Sequence, residues 1–254
     1  MKIVVLHGAG GEQGITALGT NEGGWVLVNI TASAARQLAG AGPAPVQAGL
    51  RQAQARAIVL TDARIEHLGG LIALRDGAPI DLYATPALFE ELTSQMPVLP
   101  MLQHYCGVHW RVVPVAGDHN VASFSVEGMP NLEFTAIATR VAPPAHAAHR
   151  RSPVVGDSIA LAVRDRETGQ RVFCAPGLSR IGETEFAWMQ QADCLLVDGL
   201  AVPEDDGPAP TCIELLPQMA ARHKVLFGEG GASRRRSLAE QGIELAYDGM
   251  EIEL

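Results

Sequence analysis

Three side chains able to do acid–base or metal chemistry crowd one short stretch: Thr61-Asp62-Ala63-Arg64-Ile65-Glu66-His67-Leu68-Gly69-Gly70. The apolar run AIVL, residues 57–60, precedes them and reads as a buried strand. Helical spacing begins directly afterwards, with Leu68, Leu71 and Leu74 at every third position. A strand end that feeds a helix N-terminus turns its side chains toward a common cleft. Asp62, Glu66 and His67 are therefore a candidate catalytic set, because carboxylate and imidazole together suit a hard or borderline divalent metal. The helix dipole also favours acids at that end. The same residues suit a structural role, with Asp62 as helix cap and Glu66 as first-turn acid. Local chemistry alone leans to that plainer role.

A second group is His146-Ala147-Ala148-His149, followed by Asp157. Two histidines three apart in a Pro/Ala-rich loop form a metal candidate, or else a solvated loop. Arg150 and Arg151 repel a cation at short range and suit an anionic substrate group instead. A third feature is Asp198, which ends the apolar strand CLLVD, where α/β folds place functional groups; an aspartate there also serves simply as a turn residue. The segment AGDHN around Asp118 and His119 reads as a hairpin turn. No G-x-S-x-G elbow or phosphate-binding loop occurs.

The elements that must position these residues are short. Strands are expected at Lys2–Leu6, Trp25–Ile30, Ala57–Leu60, Ile80–Ala84, Trp110–Pro114, Ala122–Val126, Leu132–Thr139, Ser158–Val163, Arg171–Cys174, Cys194–Val197, Lys224–Phe227 and Glu244–Ala246. Helices are expected at Ser33–Leu38, Glu66–Arg75, Pro86–Gln95, Thr184–Gln191, Thr211–Arg222 and Ser233–Gln241, with Thr31, Thr211 and Ser233 as caps. The middle, about residues 110–175, is nearly all strand, and helix-bearing stretches flank it. That order suits two sheets packed face to face with helices outside, in one domain over residues 1–254. It is less regular than a Rossmann alternation, and GAGGEQG at 8–14 lacks the dinucleotide spacing.

The chain has 254 residues, 47% hydrophobic and 19% charged, with a net charge of −9. It is long enough to bury a core without staples. The acidic balance argues against nucleic acid as a partner. No apolar run approaches the roughly 20 residues that cross a membrane, and MKIVVL reads as a strand and not a secretory signal. The four scattered cysteines include no C-x-x-C pair, so a cysteine zinc knuckle is not expected. Cys174 and Cys194 fall in strand-like runs as buried thiols, and the cytoplasm is the expected compartment.

The segments VLTDARIEHLGGLIALRDGAPIDLYATPALFEEL, VEGMPNLEFTAIA, APPAHAAHRRSPVVGDSIALAVRDRETGQRVFCAPGL, ADCLLVDG and GIELAYDGMEIEL together resemble the coenzyme PQQ biosynthesis protein B family, of the metallo-β-lactamase superfold. The resemblance runs over roughly residues 55–254. It implies an α/β, four-layer αββα metallo-β-lactamase-like sandwich.

The superfold's H-x-H-x-D-H motif falls on Asp62, Arg64, Glu66 and His67, where only His67 keeps its type. A guanidinium cannot ligate a metal, and two-zinc hydrolysis is not expected. The cysteine-rich zinc segment of the family is absent, and Gly228 and Glu229 stand where a histidine would follow the strand KVLF. What survives by resemblance is a metal set of His67, His149 and Asp198, with His146, for iron or zinc. On that reading the chain oxidises or hydroxylates a small tyrosine-derived precursor, whose carboxylates Arg64 and Arg150 bind. The alternative is a non-catalytic paralogue that binds or carries a quinone precursor. It would act with an active homologue, as a homo- or hetero-oligomer.

Overall fold

The computed structural model describes residues 1–7, 15–20, 24–38, 57–141, 144, 146, 154–178, 180–198, 210–228 and 230–254. Among the described residues the strands are β1 (Lys2–His7), β2 (Ile15–Gly19), β3 (Trp25–Val28), β4 (Ala57–Val59), β5 (Ile80–Ala84), β6 (Val108–Val112), β7 (Val121–Phe124), β8 (Leu132–Ala138), β9 (Ile159–Asp165), β10 (Arg171–Ala175), β11 (Cys194–Asp198), β12 (His223–Phe227), β13 (Glu244–Leu245) and β14 (Glu251–Glu253). The helices are α1 (Ala32–Leu38), α2 (Ile65–Leu68), α3 (Pro86–Glu90), α4 (Val98–Leu102), α5 (Glu183–Met189), α6 (Cys212–Leu215) and α7 (Ala232–Glu240).

The strands form two seven-stranded sheets, ordered β14-β1-β2-β3-β4-β5-β6 and β13-β12-β11-β10-β9-β8-β7. Each is antiparallel on one side and parallel on the other: β3 to β6 in the first, β10 to β13 in the second. The inner faces meet in one core, in which Val5, Val28 and Val59 face Phe134, Leu161, Cys174 and Leu196. The outer face of the first sheet, with Leu27, Ile58 and Leu82, packs on Ala34, Leu68, Leu88 and Leu99 of α1 to α4. The outer face of the second, with Phe173, Leu195, Val197 and Leu226, packs on Met189, Leu215 and Leu238 of α5 to α7. The parallel strands are buried on both faces, so β11 reads as an unbroken apolar run instead of an alternation. All four cysteines are buried thiols. Among the described residues no helix is long and apolar enough to cross a membrane.

Where the elements depart from the sequence expectation, local chemistry explains it. The helix expected over 66–75 is α2 followed by a 3₁₀ turn at Gly69–Leu74. The helix expected over 86–95 keeps its Pro86 start, gains a cap from Thr85, which the sequence reading had not named, and loosens to a π turn at Glu91–Gln95. The helix expected over 211–222 keeps Thr211 in a capping box with Glu214. It tightens into a 3₁₀ turn at Leu216–Gln218, because Pro217 cannot continue the α ladder. Gly231, and not Ser233, caps α7. The sequence reading did not anticipate β2, β14 or α4.

Candidate functional site

The strand β4 ends at Val59, and the chain leaves it through Thr61 and Asp62. Thr61 is clamped by Asn29, a non-glycine residue at φ +62, a conformation asparagine tolerates. Thr61 N donates to Asn29 Oδ1 at 2.9 Å, and Asn29 Nδ2 donates to Thr61 Oγ1 at 2.8 Å. Ile159 N donates to Thr61 O at 2.8 Å, and Asp62 pairs with Ser158 across the gap between the sheets. The two sheets are therefore stitched together at the end where the parallel strands finish. Asp62 is fixed there before any ligand arrives.

From Asp62 the chain turns into α2, which carries His67. Ile30 N donates to His67 O at 2.7 Å and Gly70 N donates to Ile30 O at 2.9 Å. This close approach requires glycine: a Cβ on Gly70 would lie 2.3 Å from Thr31 O and 2.6 Å from Ile30 Cγ1. Gly70→Ala should therefore destabilise the chain by about 1–3 kcal/mol, the range for overpacking a filled site. Urea unfolding followed by far-UV circular dichroism would read this; an unchanged midpoint would show that the 3₁₀ turn yields freely.

The side chains meet behind these contacts. Asp62 Oδ1 accepts from Arg64 N at 2.9 Å and lies 2.7 Å from His67 Nδ1. An ionised Asp62 makes Nδ1 a protonated nitrogen that donates to it. Burial pulls the Asp62 carboxyl upward, but the charge and hydrogen bond of His67, and then Arg64, outweigh it and hold it below the usual carboxylate range.

Asp198, at the end of β11, accepts a hydrogen bond from Gly177 N. Its carboxyl moves the other way, to about 6, because burial outweighs the pull of His67, the Gly177 N–H and Arg64, while Asp62 pushes it further up. Arg64 spans the two acids. Its Nε is 4.0 Å from Asp62 Oδ2 and its Nη2 is 3.4 Å from Gly177 O, to which it donates. Gly177 is at φ +83, and a Cβ there would sit 2.5 Å from Arg64 Nη1. Asp62, His67 and Asp198 are buried, whereas the Arg64 side chain keeps 16% of its surface in solvent.

A metal was tested against this arrangement. Asp62 Oδ2, His67 Nε2 and Asp198 Oδ1 are buried and have no hydrogen-bond partner among the described residues, as donors awaiting a cation would. Yet Arg64 already brings a positive charge among them. Among the described residues no three His, Cys, Asp or Glu side chains converge as a metal set. The described residues do not fit a metal.

Of the residues singled out from sequence, Asp62, Arg64, His67 and Asp198 share one locus. Glu66 is half-buried on α2, and among the described residues no hydrogen bond or ion pair joins it to the site. His146 Nε2 lies 2.8 Å from Glu91 Oε1, on the π turn. His149, Arg150 and Glu229 lie outside the described residues. Asp157 accepts from Val154 N in a turn, and Asp118 sits in the expected tight turn between Ala116 and His119. Asn29, Ser158 and Gly177 went unnoticed. Asn29 had a signal, as the polar residue closing the buried run WVLV; Gly177 had one in its Pro-Gly turn dipeptide.

The profile of the beta-lactamase superfamily domain matches residues 24–228, so the site and sandwich are those of a beta-lactamase superfamily protein. The coenzyme PQQ synthesis protein B of Klebsiella pneumoniae is 33% identical over 260 residues, covering 91% of this chain and 82% of that protein. The Pseudomonas putida (strain GB-1) protein of the same name is 32% identical over 278 residues, covering 98% and 90%. Within the superfamily, the chain belongs to the coenzyme PQQ synthesis protein B family. The crystal structure of Zn(2+)-bound PqqB from Methylobacterium extorquens superposes with a TM-score of 0.78 at 21% identity, covering 100% of both chains. The short form of human tRNase Z superposes with a TM-score of 0.66 at 16% identity, covering 100% of this chain and 99% of that one. The architecture is the metallo-β-lactamase fold.

Proposed function

We propose that this chain acts in the synthesis of coenzyme PQQ, as the name of its relatives states for them. In it the cleft at Asp62 and Asp198 binds a small tyrosine-derived or quinone precursor by that precursor's carboxylate, with residues 1–254 working as one domain. A single observation carries the reading: Arg64 is the member of the cluster whose side chain keeps surface in solvent, and its guanidinium is set against Asp62 and the Gly177 carbonyl. A guanidinium offers a planar fork to a carboxylate, and a pre-positioned one loses little entropy on binding. Asp62 and the Gly177 carbonyl orient that fork. Asp198, with its carboxyl near 6, takes up a proton at Oδ1 as an anionic ligand approaches, which limits repulsion. Arg150, outside the described residues, is a second candidate for the ligand's acids. The chain then serves as a binding or carrier subunit, alone as an oligomer or beside an active homologue.

A second reading keeps the enzyme. On it His67 and Asp198, with His149 from outside the described residues and His146 released from Glu91, would hold iron or zinc, which would supply oxidation or hydroxylation of the precursor by dioxygen. Its support is the buried His67 Nε2, which has no hydrogen-bond partner among the described residues.

Calorimetric titration with the dipeptide Glu-Tyr, together with elemental analysis after anaerobic iron and zinc loading, separates the two. The expected result is saturable binding that weakens about tenfold or more in Arg64→Gln, with no stoichiometric metal. Stoichiometric metal that disappears in His67→Ala, accompanied by oxygen-dependent consumption of the dipeptide, would replace the first reading with the second.

A further inference from the structure

The helices over the second sheet do not cover all of it, and a cavity of about 320 Å³ opens beside α5. Its floor follows from strand register. In one cross-strand row Ser123 lies opposite Thr135, Thr135 opposite Ala162, and Ala162 opposite Phe173. The next row runs Glu133, Arg164, Arg171. Residues directly opposed in an antiparallel pair share a face, so Arg164 and Arg171 stand side by side, an arrangement that costs stability. Glu133 offsets one of the two charges. Arg171 Nη1 donates to Gln191 Oε1 at 2.9 Å, a neutral partner. Asp193 Oδ2 accepts from Arg171 N at 2.8 Å, so a second acid stands at the rim while both guanidinium groups remain on the floor. Serine and alanine keep the floor low, and Trp188 of α5 forms the wall above it. Arg171 opens β10, whereas Gly177 lies past its other end, so this cavity and the cluster at Asp62 are separate places.

We propose that the cavity is a binding site for a small planar aromatic acid. Its ring lies over Ala162 against Trp188, and its carboxylate bridges Arg164 and Arg171. The volume suits one compact ligand, aromatic faces prefer offset stacking or edge contact with another ring, and paired guanidinium groups recognise carboxylates in a plane. The shared anion also removes the repulsion between the two arginines.

The test titrates the full chain with naphthalene-2-carboxylate and with its neutral carboxamide, by calorimetry. The acid should bind saturably, one per chain, and the amide about tenfold or more weakly. Arg164→Gln and Arg171→Gln should each bring the acid down to the amide's affinity and leave the amide unchanged. Ala162→Leu should fill the floor and remove both, and Trp188→Ala should weaken both should the leucine variant fail to fold. Asp198→Asn should change neither affinity, which separates this site from the cleft. Equal affinity for acid and amide, or acid binding that survives both Ala162→Leu and Trp188→Ala in folded protein, overturns the proposal.

Discussion

Asp62→Ala should cost the fold about 3–5 kcal/mol, the scale for removing one partner of a buried charged pair. The carboxylate accepts from His67 Nδ1 and from Arg64 N, and it faces Arg64 Nε. Its loss strands a buried imidazole and half-releases a guanidinium. Since a domain is stable by about 5–15 kcal/mol in total, this one substitution approaches the limit of folding. His67→Ala should cost less, because the partner it leaves keeps Arg64. Urea unfolding of the two variants would measure both, with the midpoint as readout and the slope held constant. A loss below about 1 kcal/mol for Asp62→Ala would mean that water reaches the pair and that the site is not sealed.

The second large effect has the opposite sign. Asp198→Asn should raise stability at pH 7. Its folded carboxyl stands near 6 against an ordinary 3.8, so the folded chain holds a proton that the unfolded chain releases. Stability contributed at Asp198 is therefore complete below about 3.8 and falls as pH rises toward 6. At about 1.4 kcal/mol per pH unit the decline is about 3 kcal/mol, less whatever attraction to Arg64 the asparagine forfeits. Asp62 behaves conversely: its lowered carboxyl stabilises the fold above about 3.8, and that contribution disappears as pH falls through its lower folded value. Denaturation curves from pH 4 to 7 would show the wild-type chain losing ground against Asp198→Asn across that interval. Parallel profiles would refute the raised carboxyl.

Much of this arrangement was legible before any coordinates. Strand positions followed from apolar runs, because a strand buried on both faces needs them, as in β3 and β11. The grouping of helices and strands pointed to two facing sheets. Asp62 and Asp198 could be marked from their places at strand ends, and His67 from the helix that follows. Spacing could not tell how the charges would balance. The opposite displacements of the two carboxyls arise from how burial is met: at Asp62 its sequence neighbours His67 and Arg64 outweigh it, whereas at Asp198 it outweighs the pull of His67, the Gly177 N–H and Arg64, which only the fold brings there. The same holds for the clamp of Asn29 on Thr61, which joins residues 32 apart. His146 shows the limit from the other side: its spacing from His149 suggested a shared ligand, and spacing gave no sign that its imidazole would lie 2.8 Å from Glu91. Short β14 and proline-containing α4 escaped notice because tertiary pairing, more than local propensity, makes them.

The pairing of β1 with β14 governs when the first sheet can be finished. A ribosome releases β1 well before β14, so the strand KIVVLH has one unpaired edge until β14 follows it. The second sheet has no such debt, since β7 to β13 emerge in the order in which they pair. Folding of this sandwich should therefore run from the middle of the chain outward. The newborn protein is most exposed to self-association during the interval before β14 arrives.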